Sequence, residues 1–124
     1  MKQSREYADC LADILEAAEN AERFLGEMEL DEFLADDKTN YAVVRALTII
    51  GEAAKKIPSS ARQQHPEIPW RAVAGMRDKV AHEYFGVDLR RVYETVRREL
   101  PQLRQVVKRM LQQTEREQED PAAG

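Results

Sequence analysis

The sequence predicts an all-α protein: an antiparallel bundle of four main helices with short extra turns. Three observations point there. Apolar residues recur every three or four positions through several long stretches, and strand-like alternation is absent. Only five glycines and five prolines interrupt 124 residues. With 43 % hydrophobic and 34 % charged residues, the chain is apolar enough to fold yet polar enough to be covered by one solvated surface. Its length suits one domain with a real core.

The first helix is expected from Arg5 to about Met28, with Tyr7, Leu11, Ile14, Ala18, Ala21 and Leu25 on its inner stripe and Ser4 as its cap. Leu30 to Leu34 adds a short turn, and Asp36 to Asn40 is a polar break rich in capping residues. The second helix is expected from Thr39 to Ile57. Its stripe runs from Tyr41 through Val43, Leu47 and Ile50 to Ile57, and is wide enough to make this the most buried element. Gly51, Ala53 and Ala54 are small, so a partner helix can come close.

Pro58 ends that helix, because proline lacks the backbone donor and disfavours helix before it. Ser60 to Pro66 has room for a turn or two, with His65 in a loop. A third helix restarts at Ile68-Pro69-Trp70, proline suiting a first helical position, and stops near Gly86. Asp88 caps a last helix with the stripe Leu89, Val92, Val96, Leu100, Leu103, Val107 and Met110. Pro101 falls in phase within it and is expected to kink it. Residues 1–111 form the helical domain; 112–124 are polar and expected to fray.

Composition narrows the function. No apolar run reaches the roughly 20 residues of a membrane span, and the charged start offers no signal core, so a cytoplasmic location is expected. One cysteine, Cys10, excludes an internal disulfide; with only two histidines, a zinc site within one chain is not expected. Charge is unevenly spread. Residues 1–37 carry twelve acids against three bases, whereas residues 71–109 carry ten bases against five acids. A local basic region of this kind can attract a polyanion although the whole is acidic, but it can equally be a solvated helix face.

That basic region holds the unusual chemistry, between Gly75 and Asp88. Arg77, His82 and Tyr84 combine a cation, an imidazole and a phenol, types that suit work on a phosphate. RNA carries its own nucleophile, the 2′-hydroxyl, so neither metal nor cofactor is required. Surface pairing and packing explain the same residues without any activity. Asp78 and His82 are four apart and share a helix face. Arg77 and His82 are five apart, roughly 140° around a regular helix axis. Either the helix loosens near His82, or a second copy of the chain completes the site.

The segment Arg77-Asp78-Lys79-Val80-Ala81-His82-Glu83-Tyr84 resembles the Arg-x4-His-x-Tyr motif of HEPN-domain ribonucleases, specifically HepT-like toxins. Ile49 to Lys56, Ile68 to Arg71, Gly75-Met76 and Tyr84 to Asp88 resemble further blocks of that family, in the same order. The resemblance implies a HEPN-like homodimer that acts as a metal-independent endoribonuclease, the toxin of a toxin–antitoxin pair. Arg77 and His82 would be catalytic. It implies as partner a minimal nucleotidyltransferase antitoxin that transfers AMP to Tyr84. The position after the arginine is often Asn in such motifs; here Asp78 puts a carboxylate beside the phosphate site, where it could orient His82. The competing expectations are a non-catalytic HEPN module that pairs with a nucleotidyltransferase, and a structural dimer with no ligand.

Overall fold

The computed structural model describes the backbone of residues 2–82 and 88–119, and the side chains of residues 7–76 and 88–116. Among them the chain is helical throughout and contains no strand. The elements are α1 (Lys2–Leu25), α2 (Leu30–Ala35), α3 (Asp37–Lys55), α4 (Ser59–Gln63), α5 (Trp70–His82), α6 (Leu89–Glu94), a π-helical turn (Thr95–Glu99) and α7 (Leu100–Glu119). α3 packs against α1 on one side and α5 on the other, and α7 lies along α1. The motif-bearing α5 therefore sits at the edge of the bundle.

The core follows the predicted stripes. Leu11, Ile14, Ala18 and Ala21 of α1 are fully buried against Val43, Ile50 and Ala54 of α3, and Leu100 and Val107 of α7 close the other side. Tyr41 departs from its stripe: it was expected inside, but it is 69 % exposed, and Phe24 on α1 is 39 % exposed. A helical period places a residue on a face, but only the neighbouring elements decide how far round that face is covered.

Several boundaries differ from expectation for identifiable reasons. α1 starts before Ser4, which lies within the helix rather than at its cap. It ends at Leu25, not Met28, because Gly26 takes φ +53, a left-handed conformation that terminates the helix. Pro69 stands just outside α5, where its carbonyl accepts from the Val73 N–H at 3.0 Å. The caps at Asp36 and Asp88 are as the sequence suggested: their carboxylates accept from the Thr39 and Arg91 N–H groups at 3.0 and 3.3 Å. The Gly86 stop lies outside the described residues.

Pro101 does not end the last helix, and the distortion it causes is a π-helical turn. Proline offers no N–H to the carbonyl of Arg97, and its ring crowds that carbonyl. The turn widens instead, with the Leu100 N–H reaching Thr95 O five residues back. The helix then continues, and the segment from Gln112 is helical as far as Glu119, with Thr114 buried.

The same turn holds the corner between α1 and α2. Arg97 donates from Nη1 to Gly26 O at 2.7 Å and from Nη2 to Met28 O at 2.8 Å. The Tyr93 hydroxyl donates to Met28 O at 2.8 Å, and its ring lies between the Arg97 guanidinium, 5.1 Å away, and Phe33, 5.8 Å away. Carbonyls left over where α1 ends thus find donors far along the chain.

Candidate active site

The place of α5 is fixed by the compact link that precedes it. Arg62 donates from Nε to Ile57 O at 2.9 Å and from Nη2 to Ala54 O at 2.6 Å, satisfying carbonyls where α3 ends. The Trp70 indole N–H donates to His65 O at 3.0 Å, and Ile68 and Trp70 are buried. The link that leads into α5 is thereby tied to the end of α3, the helix against which α5 packs. Replacing Arg62 by Ala should lower stability by about 2 kcal/mol, since charge-assisted bonds to two part-buried carbonyls are lost. Urea unfolding followed by circular dichroism measures it; an unchanged midpoint would show that Arg62 does not hold the link.

From Trp70 to His82 is twelve residues, roughly 18 Å of helix. The backbone stays α-helical from Trp70 through His82. A loosened helix short of His82 is thereby ruled out, and Arg77 and His82 lie roughly 140° apart around one axis.

Their positions relative to the bundle follow from the buried Val73. Arg77 falls roughly 40° from Val73, towards the covered side of α5, and His82 roughly 180° from it, on the open side with the exposed Arg71. Gly75, on that open side, has no atom within 4 Å of where a Cβ would stand. Asp78 falls between the two, nearer His82. The side chains of Arg77, Asp78 and His82, and the whole of Tyr84, lie outside the described residues. What the backbone establishes is that Arg77 and His82 occupy different faces of α5.

On α3, one face leaves Tyr41 exposed and Val44, Thr48, Ile49 and Glu52 half-buried. Glu52 is not a free carboxylate. Just behind Tyr41, Asn40 is buried with its Oδ1 unpaired, a feature that the sequence pattern gave no reason to notice. Beyond the motif, an open groove of about 430 Å³ is lined by Arg90, Arg91 and Arg98 with Asp88, Glu94 and Glu99. Its arginines and carboxylates balance, so it has no net attraction for a polyanion. Among the described residues no group of His, Cys, Asp and Glu could hold a metal ion, and no helix is long and apolar enough to cross a membrane.

The family model described as "Ribonuclease HepT-like" matches residues 14–110, from the first helix to the last and across the whole motif. The chain belongs to the HepT-like ribonuclease family. Three relatives align over nearly their whole length. The "Probable ribonuclease HepT" of Thermococcus cleftensis is 52 % identical over 100 residues, covering 81 % of this chain and 91 % of its own. A "Putative RNase" of Methanocaldococcus jannaschii is 41 % identical over 116 residues, covering 94 % and 96 %. A "Putative RNase" of Caldanaerobacter subterraneus is 42 % identical over 112 residues, covering 90 % and 97 %. No solved structure matches the chain. The HepT-like resemblance drawn from residues 49–88 thus extends to the whole helical domain.

Proposed function

We propose that this protein is a metal-independent endoribonuclease, the toxin of a toxin–antitoxin pair, acting as a homodimer whose two copies share the Arg77–His82 chemistry. The observation that carries the reading is the unbroken helix through His82 in a HepT-like chain: one copy holds the two residues on different faces, and a twofold partner supplies the missing half. In the step envisaged, His82 takes the proton of the ribose 2′-hydroxyl. The 2′-oxygen bonds to phosphorus while the P–O5′ bond breaks, and the 5′-oxygen leaves with a proton from solvent, to which the imidazolium in turn gives up its own. Arg77 holds the phosphate and offsets the charge that builds on its oxygens. The products are a 2′,3′-cyclic phosphate and a 5′-hydroxyl, with no water consumed and no cofactor needed. Incubating purified protein with RNA in EDTA and sizing and end-labelling the fragments tests this; uncut RNA, or cleavage only with added metal, sinks it.

The proposed partner is a nucleotidyltransferase antitoxin that transfers AMP to Tyr84. AMP there would place an anion beside Arg77 and His82 and exclude RNA by occupancy and repulsion. Tyr84→Phe, which keeps the ring and removes the acceptor, should then stay toxic when the antitoxin is co-expressed. Intact mass spectrometry of the wild type should show added AMP. Neutralised protein with unchanged mass would mean inhibition by binding alone.

One observation favours a second reading, a non-catalytic module that pairs with the nucleotidyltransferase. Asp78 brings a negative charge next to the position that must hold phosphate. In that case expression alone is harmless, and the complex with the nucleotidyltransferase forms regardless of His82.

A further inference from the structure

Along one face of α3 stand Tyr41, Arg45, Thr48 and Glu52, three and four residues apart, with Val44 and Ile49 flanking them. Tyr41 is 69 % exposed and Arg45 is exposed, whereas Val44, Thr48, Ile49 and Glu52 are half-buried. No hydrogen bond or ring contact engages Tyr41 among the described residues. The other exposed ring, Phe24, differs in having the Arg23 guanidinium over it at 5.2 Å. The stripe ends at the exposed Lys56, the C-cap of α3. Its middle is uncharged, and its charges stand on either side: Arg45 before it, Glu52 and Lys56 after it.

We infer that a second copy of the chain docks on this stripe, α3 crossing α3 about a twofold axis between Thr48 and Ile49. This rests on the ribonuclease reading above for its need of a partner copy, and adds the face that receives it. Such an axis sets each residue opposite the one equally far on its other side. Arg45 then faces the partner's Glu52, Tyr41 faces the partner's Lys56, and Thr48 faces the partner's Ile49. Each contact forms twice, an ion pair and a cation–π contact among them. A stripe whose charges are its own complement suits its own copy. Thr48 spends its hydroxyl on the Val44 carbonyl at 3.0 Å, so the crossing point leaves no side-chain donor without a partner. Glu52 has a contact within its own chain, and the two oxygens of a carboxylate accept a second. RNA is the poorer occupant. Glu52 would repel its phosphates, and beyond Tyr41 the aliphatic Val44 and Ile49 offer a base no ring to stack on.

Sedimentation equilibrium of full-length protein reads the contact without reference to cleavage. Arg45→Glu and Glu52→Arg should each weaken the dimer at least about 100-fold, because like charges then meet twice. The double variant Arg45→Glu/Glu52→Arg exchanges the signs and should restore association. In a Cys10→Ser background, Thr48→Cys beside the axis should form a disulfide between copies on mild oxidation, whereas Asp13→Cys, exposed on α1, should not. A dimer untouched by Arg45→Glu, or a folded Thr48→Cys protein that does not cross-link, overturns the proposal. So does a folded double variant that stays monomeric. Wild-type monomer that cuts RNA overturns the docking face and leaves the nuclease standing. A dimer that cross-links at Thr48→Cys but leaves RNA uncut upholds the face and sinks the nuclease.

Discussion

Arg77→Ala and His82→Ala are each expected to lower RNA cleavage in EDTA by about 100- to 1,000-fold, without changing the helical content of the protein. The size follows from the roles proposed: a positioned general base contributes about 100- to 10,000-fold, and one preorganised donor to a developing charge about 100- to 1,000-fold. Neither change should unfold the domain, because Trp70 and Val73, buried at the other end of α5, are left in place. Single-turnover rates on one RNA, with circular dichroism on the same samples, measure the effect. Cleavage that survives either substitution removes that residue from the chemistry.

Mixing the two inactive variants is expected to restore activity. If each site takes Arg77 from one copy and His82 from the other, an Arg77→Ala/His82→Ala heterodimer has one site with both residues intact and one with neither. Random exchange makes half of all dimers mixed, so about a quarter of wild-type activity should return. If both residues act from one chain, every site in the mixture lacks one of them and nothing returns. The helix makes the first outcome the expected one. Residues five apart on a regular helix do not converge on one phosphate. The experiment needs only unfolding and refolding of the two proteins together, followed by a cleavage assay. A flat result would require the motif to work within a single chain.

Much of the fold was legible because it is written locally. Asp36 and Asp88 announce their helices by side-chain chemistry that acts within one turn, and the structure uses both as caps. The stripes of α1, α3 and α7 were readable for the same reason. What the sequence hid depends on neighbours. Tyr41 belongs to the apolar period of α3 but lies past the edge that α1 and α5 cover. Gly26 could have been read as a helix end; the apolar pattern running on to Met28 obscured it. Pro101 signalled a distortion but not its form, since a kink and a π-helical turn answer the same missing donor.

The candidate site divides along the same line. Residue types, spacing and the angle between Arg77 and His82 came from the sequence, and the helix through His82 leaves that angle standing. That α5 lies at the edge of the bundle, with one side of the motif covered and the other open, is a product of packing. Periodicity alone could not have shown it.

The corner clamped by Arg97 and Tyr93 has a consequence for how the chain assembles. Its bonds join residues 65 to 71 positions apart, and the Arg104–Glu22 contact at 3.1 Å joins residues 82 apart. α3 and α5 meet through a short link and can pair early, whereas α1 finds its second neighbour only in the much later α7. Closing so long a loop carries an entropic cost that shorter contacts do not. During synthesis, α1 must therefore wait for α7 before its apolar face is fully covered.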